Sequence, residues 1–438
     1  MQSFRYRKTV ASGDAVPVYV DGIRSAFVKS FGDFAELDSL ELFSRVLSAL
    51  LRRVAIHPHE YDAINAGVVV PQTKNPNLAR DAILNLNLPP HIHGATTNMA
   101  CVSSLHTIAQ AAATITQGSP ALILAGGVEL LSKMPITYSP RATEFLIKFS
   151  RARKTLERLK LLKTTRFKDW LPRPPSISEP LTGLTMGQHA EQMAQRNNIS
   201  RTAQDRYALN SHAKAYAGRD ALAAEITPMW VGGKYQRLVQ YDDLVRSEID
   251  LATLARLRPA FDRKYGTITA ASSSPLTDGA AITLIADQKR AKSLGLVPRA
   301  KIVDHMFVGI NPYEQLLIAP ALIIPALMRK HKLTYKDVDL FEVHEAFAAQ
   351  VLSCQQALAS KEFCQQHFGD SNAIGAIPED KLNVNGGAIA IGHPFGASGA
   401  RLVMTMVNEL HRRDKTLGLI AGCAAGGMGA GMLIERIS

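Results

Sequence analysis

No run of apolar residues in this 438-residue chain reaches the roughly 18 needed for a membrane-spanning helix. The N-terminus has no apolar core of the kind a secretory signal carries. Met1 to Ala11 is basic and lacks acidic residues, yet is short for an organelle-targeting segment. A cytoplasmic protein is therefore expected, with mitochondrial or membrane-associated locations as the alternatives. Cysteine is scarce: Cys101, Cys354, Cys364 and Cys423 are the only four. Their wide spacing fits neither a zinc site nor a disulfide scaffold, which favours a reducing compartment and predicts no metal.

What is present describes a large globular chain. Hydrophobic residues make up 46% and charged residues 20% of it, enough for sizeable cores and two or three domain-sized units. The formal charge of +12 invites a polyanionic partner. Much of it is local, however. Arg141 to Trp170 holds ten Lys/Arg against three acids, so +7 of the charge lies there and +5 is spread over the rest. With the body only mildly basic, a general nucleic-acid-binding surface is not indicated.

Strand and helix alternate through the first part of the chain, the signature of layered α/β architecture. Val16–Val20, Ala66–Val70 and Ala121–Ala125 read as strands, and Leu37–Val54 as an amphipathic helix. Leu105, Ile108, Ala109, Ala112 and Ile115 recur at helical spacing, and Gly118 with Pro120 closes that helix. From Glu129 to about Ala255 the texture is helical and polar, interrupted by Pro172, Pro174 and Pro175. Met186–Asn197 and Thr202–Tyr216 are helices in it. Strand signals resume at Gly266–Thr269 and continue at Ile302–Val308, Leu340–Val343, Leu417–Ile420 and Met432–Ile434. Ala321–Lys330, despite Pro325, and Ala400–Arg412 read as helices. A small-residue turn, a helix and a strand ending in small residues occur twice, around Cys101 and around Gly392–Gly399, which suggests a duplicated unit.

Five stretches can carry chemistry. In Asn98-Met99-Ala100-Cys101-Val102-Ser103-Ser104 a cysteine stands where strand passes to helix, and the helix dipole there favours the nucleophilic thiolate. Filling a helix–sheet contact is the competing explanation for so small a residue. Asn385 to Gly399 is dense in glycine and alanine around His393, its only titratable side chain. Cys423-Ala424-Ala425-Gly426-Gly427-Met428-Gly429 puts a thiol before amides that can point into a cavity. Val343-His344-Glu345-Ala346-Phe347 sets His344 and Glu345 at a sheet edge, where open α/β sheets bind ligands. Thr267 to Gly279 is Ser-rich and suits the wall of a narrow tunnel or a plain loop. Two thiols and two imidazoles on such turns describe an acyl-transfer site: one thiol as nucleophile, a histidine as its base, the second thiol moving protons.

Together these segments resemble the thiolase family over nearly the whole chain. The Cys101 stretch is similar to its nucleophile motif. Gly392-His393-Pro394 with Gly396-Ala397-Ser398-Gly399 is similar to its histidine motif, and Cys423 with Gly426-Gly427-Met428-Gly429 to its second-cysteine motif. Two positions depart from the usual pattern: His344 replaces an asparagine, and Ala425 replaces a glycine. Both changes, with Arg258-Pro259-Ala260-Phe261-Asp262-Arg263-Lys264 and the basic insertion, are similar to the thiolase subunits of fatty-acid β-oxidation trifunctional complexes. They point away from a simple acetoacetyl-CoA thiolase.

The resemblance implies a duplicated, five-layered α-β-α-β-α fold with a helical loop-domain insertion. Residues 1–135, completed by about 256–285, would form the N-terminal half, 136–255 the loop domain and 286–438 the C-terminal half. The implied activity is CoA-dependent Claisen cleavage of a medium- or long-chain 3-ketoacyl-CoA to acetyl-CoA and a shortened acyl-CoA. His393 would deprotonate Cys101, whose thiolate attacks the 3-keto carbon while the backbone amides of Cys101 and Ala425 hold the oxyanion. Cys423 would protonate the enolate and later deprotonate CoA, and His344 with His393 would bind the enolate oxygen. Met186, Phe261 and Ser274 would touch CoA. CoA is a substrate, and no metal or redox cofactor is implied. A homodimer core is expected, with a hydratase/3-hydroxyacyl-CoA dehydrogenase subunit as a further partner. Phe145, Phe149, Leu156, Leu159 and Leu162 predict one amphipathic helix with a cationic face. That face would serve CoA phosphates, an anionic membrane surface or the partner subunit, or else be a solvated insertion. The alternatives are an acetoacetyl-CoA thiolase working in the biosynthetic direction, and a decarboxylating ketosynthase, which Cys423 argues against.

Overall fold

The computed structural model describes residues 15–437 apart from 120, 163, 173–177, 370 and 371. The expectations for Met1–Ala11, Pro120, Lys163, Pro174 and Pro175 lie outside the described residues. The first part of the chain forms β1 (Pro17–Arg24), β2 (Val28–Lys29), α1 (Ser39–Val54), β3 (Ala63–Gly67), α2 (Leu78–Asn85), β4 (His93–Thr97), α3 (Ser103–Thr116) and β5 (Leu122–Glu129). A helical segment follows with α4 (Pro140–Arg151), α5 (Thr155–Leu162), α6 (Met186–Arg196), α7 (Arg201–Ala217) and α8 (Arg219–Ala223). It ends in the hairpin β6 (Met229–Val231) and β7 (Arg237–Val239), and α9 (Leu251–Ala255). Then come β8 (Thr277–Asp287), α10 (Gln288–Ser293), β9 (Ala300–Gly309), α11 (Ala319–Lys330), β10 (Leu340–Val343) and α12 (Ala348–Ala359). Finally α13 (Lys361–Phe368), α14 (Ala388–Ile391), α15 (Ser398–Arg412), β11 (Leu417–Ala424) and β12 (Met428–Arg436) complete the chain.

The strands lie in the order β10-β11-β12-β9-β1-β8-β5-β3-β4, with β2 beside β8. Duplication is written in the pairing directions. β3 runs parallel to β5, which is antiparallel to β8, itself antiparallel to β1. β10 runs parallel to β11, which is antiparallel to β12, itself antiparallel to β9. Leu382 bridges Phe341 in parallel, where β4 stands beside β3 in the first half. The two half-sheets meet only through Val18 with Lys301 and Tyr19 with Ala300 among the described pairs.

Alternation along the strands builds the layers, because successive side chains point to opposite faces. On β5, Leu122 and Leu124 join the cluster under α1 and α2, whereas Ile123 and Ala125 face α3 and α15. On β11, Ile420 packs into the α3/α15 layer, while Leu419 and Ala421 face α11 and α12. The result is α1/α2, half-sheet, α3/α15, half-sheet, α11/α12: the five layers expected. Buried apolar side chains make up most of each interface and are the main source of stability. Truncating Leu47 of α1, which is fully buried, to Ala costs on the order of 2–5 kcal/mol.

Several boundaries differ from the sequence expectations. Gly266–Thr269 is irregular rather than a strand. The Ser-rich stretch expected as loop or tunnel wall to Gly279 passes into β8 at Thr277, and all eleven residues of β8 are buried. A strand covered on both faces loses the alternation that marks a half-exposed one. Ala66–Val70 shifts to Ala63–Gly67, since the backbone amides of Val69 and Val70 bond the Glu129 carboxylate instead of a neighbouring strand. The helix around Pro325 persists. The single amphipathic helix expected through Phe145 and Leu162 is two helices, α4 and α5, separated at Ala152–Lys154. Its apolar face is split as well. Phe145 turns inward against Phe149 and Trp170, whereas Leu156, Leu159 and Leu162 are 65%, 54% and 55% exposed.

Candidate active site

A strained corner presents Cys101. Ala100, a non-glycine residue, has φ +47°, a conformation costing on the order of 1–3 kcal/mol. Ser103 holds it there: its hydroxyl donates to Ala100 O at 2.7 Å and accepts from Met99 N at 2.8 Å. The chain then enters α3 two residues after Cys101. Gly67 lies against the Ser103 backbone, where a Cβ would collide.

The other half of the chain supplies the facing groups. His344 follows β10 and donates its backbone N–H to Ala421 O of β11 at 2.9 Å. Cys423 lies two residues further along β11, and the intervening Gly422 packs against Val102 and His344. His393 sits on the turn between α14 and α15, entered through Gly392 at φ +109°, and its N–H reaches Pro275 O at 3.3 Å. The rings of His344 and His393 have centroids 4.2 Å apart. One ligating atom each from Cys101, His344 and His393 lie within 4.8 Å of one another. Cys423 is close enough that the Cys101 thiolate would raise its pKa. The four residues predicted as catalytic thus converge on one site; Cys101 is half-buried and the others buried.

A hydroxyl faces the inner nitrogen of His393: Ser398 Oγ lies 2.6 Å from Nδ1 and 3.1 Å from Pro394 O. With its hydrogen on Pro394 O it accepts from Nδ1–H, the tautomer in which Nε2 offers a lone pair. Among the described hydrogen bonds, Nε2 of His393 and both ring nitrogens of His344 have no partner although they are buried. Such groups are normally satisfied, so the pocket is built for something polar.

Burial dominates the titration of the site. It lowers His344 to about 3 and His393 well below the ordinary histidine value, with the Arg401 guanidinium adding to both. Both rings are neutral at physiological pH. Burial also pushes the Cys101 thiol up to about 11, with Glu129 adding to the rise, against the backbone amides of Ala425 and of Cys101 itself. The helix dipole favours a resting thiolate, as the sequence leads one to expect; desolvation outweighs it, and Cys101 rests as a thiol that needs a base. Its two amide partners are the pair predicted to hold the oxyanion.

Met186 and Phe261 pack on one cluster beside Phe347, whose ring meets Phe261 at 5.7 Å. Ser274 joins them through its backbone, donating to Ala346 O at 3.0 Å. Phe261 and Ser274 therefore lie against the segment that follows His344, and Met186 packs on the same cluster. Sequence reasoning assigns no role to Ser398, Glu129 or Glu179. Ser398 lies inside a motif whose histidine draws the attention. Glu129 stands out as an acid ending the apolar run of β5; its carboxylate accepts from the amides of Val69 at 3.1 Å, Val70 at 2.9 Å and Gly396 at 3.0 Å. Glu179 has no local signal. Cys101, His344 and His393 are, among the described residues, the group of donors that could also hold a soft divalent cation such as zinc.

The profile described as "Thiolase, N-terminal domain" matches residues 17–289, and "Thiolase, C-terminal domain" matches residues 296–436. A 3-ketoacyl-CoA thiolase of Serratia proteamaculans is 39% identical over 426 residues, covering 97% of each chain. One from Escherichia coli is 38% identical over 425 residues, again 97% of each. Among solved structures, the Bacillus anthracis acetyl-CoA acetyltransferase superposes with a TM-score of 0.80 at 29% identity, over 97% of this chain and 99% of that one.

Proposed function

This chain belongs to the thiolase family, and on that premise we propose that it is a 3-ketoacyl-CoA thiolase of fatty-acid β-oxidation. The observation that carries the reading is the meeting of a half-buried thiol, a second thiol and two neutral imidazoles, whose buried His393 Nε2 and both His344 nitrogens have no partner among the described bonds.

His393 Nε2 takes the Cys101 proton as the sulfur attacks the 3-keto carbon. The developing oxyanion lies against the amides of Cys101 and Ala425. The C2–C3 bond breaks, and its electron pair becomes the acetyl-CoA enolate, whose oxygen is held by His344 and protonated His393. Cys423 gives its proton to C2, releasing acetyl-CoA. Its thiolate then takes the proton of CoA, whose sulfur attacks acyl-Cys101. The shortened acyl-CoA leaves, and the Cys101 sulfur recovers its proton from His393. Every proton and electron pair balances without a metal or a redox group; CoA is a substrate. Met186, Phe261 and Ser274 are assigned to its pantetheine arm.

Medium- and long-chain substrates are the proposed preference, in keeping with the loop-domain insertion. The acetoacetyl-CoA reading, which the name of the Bacillus anthracis neighbour suggests, rests on the lower identity of the two groups. The proposed core assembly is a homodimer: β4 ends the sheet with one edge unpaired among the described strands and leads directly to Cys101. A hydratase/3-hydroxyacyl-CoA dehydrogenase subunit and an anionic membrane surface are the proposed contacts of α4 and α5. No described helix is long and apolar enough to cross a membrane, and a cytoplasmic location is proposed.

The test is CoA-dependent cleavage of 3-ketoacyl-CoAs of graded chain length by the purified chain, beside Cys101→Ala. Cleavage by the native chain with complete loss in the variant is expected. A native chain that consumes no 3-ketoacyl-CoA and forms no acyl adduct on Cys101 overturns the reading.

A further inference from the structure

We propose that Glu179, from the helical segment between β5 and β8, is the positioning residue of the oxyanion site; this rests on the thiolase reading above. Ala424 pairs with Met428, so Ala425, Gly426 and Gly427 form the tip of the β11–β12 hairpin. Gly426 has φ +81° and Gly427 φ +64°. Two successive glycines leave such a tip many conformations of similar energy. The amide of Ala425 lies near enough to Cys101 to lower the pKa of its thiol, so its placement matters to that sulfur.

Two contacts remove that freedom. Ile310 N donates to Gly427 O at 2.6 Å, which fixes the far side of the tip. Gly426 N donates to Glu179 Oε2 at 2.8 Å, which fixes the peptide adjoining the Ala425 donor. Glu179 is buried, and a hydrogen bond shielded from water is electrostatically stronger than an exposed one. Its own backbone is clamped: its N–H donates to Leu184 O at 2.8 Å and its carbonyl accepts from Gly183 N at 2.8 Å. Ser178 bridges Thr185, whose side chain caps α6 at Gln188 N, 3.2 Å away. The residue that opens α6 is Met186, assigned to CoA. One rigid turn therefore carries both a substrate contact and the brace of the oxyanion donor.

The arrangement has a counterpart across the pocket. Glu129 accepts from Gly396 N at 3.0 Å, three residues after His393, as Glu179 accepts from Gly426, three residues after Cys423. A buried carboxylate thus pins each glycine-rich catalytic loop at the same offset.

Glu179→Ala and Glu179→Gln test the assignment, read by steady-state thiolysis and by the pH profile of Cys101 alkylation with iodoacetamide, the site identified by peptide mass spectrometry. Loss of an oxyanion donor costs on the order of 10²–10³ in kcat, and an untethered donor is expected to cost about 10- to 100-fold with KM little changed. In Glu179→Ala the alkylation profile moves to higher pH, because the thiolate loses the Ala425 amide. Glu179→Gln keeps an acceptor for Gly426 and brings both readouts back to within about threefold of the native chain. A Glu179→Ala chain with native turnover and a native profile overturns the proposal. So does a loss of turnover with an unmoved profile that Gln does not relieve, which would make Glu179 a support of the fold alone. The alkylation profile needs no turnover, so a native chain without thiolysis would sink the family activity while leaving the Glu179 assignment to be judged separately.

Discussion

Ser398 Oγ stands 2.6 Å from His393 Nδ1 and 3.1 Å from Pro394 O, so by donating to Pro394 O this hydroxyl can hold the imidazole proton on Nδ1 and leave Nε2 free to act as the proposed base. A histidine that holds its proton on Nε2 cannot accept one from Cys101. Ser398→Ala removes the acceptor that keeps the proton on Nδ1. A neutral hydrogen bond is worth about 1 kcal/mol, so kcat should fall on the order of five- to tenfold with little change in KM. Ser398→Thr, which retains the hydroxyl, should recover most of the loss. Steady-state kinetics of the two variants check this.

The acid limb of activity should belong to Glu129 rather than to a catalytic histidine. Burial pushes its carboxyl up to about 7 against three backbone amides that pull it down. Below that pH it takes a proton, and one oxygen can no longer accept; the hold on Gly396 and the His393 turn loosens. His344 and His393 remain neutral there, because burial keeps both below the ordinary histidine range. kcat/KM should therefore drop as pH falls through about 7, and Glu129→Gln should be slower but flat across that range. Stability runs the other way. The folded pKa lies above the ordinary glutamate value of 4.5, so the contribution of this group is retained below 4.5 and lost as pH rises toward 7. The slope is at most about 1.4 kcal/mol per pH unit. pH–rate profiles and melts of the two proteins separate the effects; a variant that keeps the limb would assign it elsewhere.

Much of this molecule is legible from residue order, and the exceptions share a cause. Cys101, His393 and Cys423 lie in dense local motifs, so short stretches announce them. α15 is visible because its apolar period is intact, and β10 because it is a short, mostly apolar run. β8 is hidden because burial on both faces erases alternation. The helix dipole beside Cys101 is a local property and argues for a thiolate, whereas the protonation of that sulfur is set by desolvation and by Glu129, which depend on the assembled pocket. Glu179 and Glu129 escape because each acts on a backbone amide far along the chain, 247 and 267 residues away, and a backbone amide has no letter in a sequence.

The two thiols should separate into acylation and proton transfer. Cys423→Ala leaves Cys101 with His393 as its base, so acyl-Cys101 should still form, the enolate taking its proton from water, and accumulate because CoA has lost its base, while turnover falls by about 10² or more. Intact-protein mass spectrometry after mixing with 3-ketoacyl-CoA checks for the adduct. Absence of the adduct in this variant, with the fold intact, would remove Cys423 from its role as the proton carrier.

His344 occupies the position where the family usually has asparagine, and neither of its ring nitrogens has a partner among the described bonds. Held neutral, it can donate one N–H to the enolate oxygen. His344→Asn restores an amide donor at that place and should keep turnover within about tenfold of the native chain. His344→Ala should lose about 10²-fold, the scale of a deleted oxyanion donor. Near-equal rates for the two variants would show that no donor is needed from this residue.

The outward leucines of α5 predict where the chain meets a surface rather than a substrate. Leu156, Leu159 and Leu162 are more than half exposed, beside Lys154 and Lys160. Arg158 turns back instead, its guanidinium 5.3 Å from the Phe149 ring, which ties α5 to α4 and keeps the leucines facing out. An anionic bilayer rewards both features: each basic residue near its surface contributes about 1 kcal/mol, and each leucine that enters the apolar boundary on the order of 1.5 kcal/mol or more. The triple change Leu156→Ser, Leu159→Ser and Leu162→Ser should therefore lower binding to phosphatidylserine-containing vesicles by at least about tenfold while leaving turnover of short 3-ketoacyl-CoAs unchanged. Raising the salt should weaken the native chain's binding, since the lysines act through a screened field. Vesicle co-sedimentation and the thiolysis assay, run on the same preparations, read the two effects apart; if binding and turnover fell together, α5 would be a structural part of the loop domain and not a docking element.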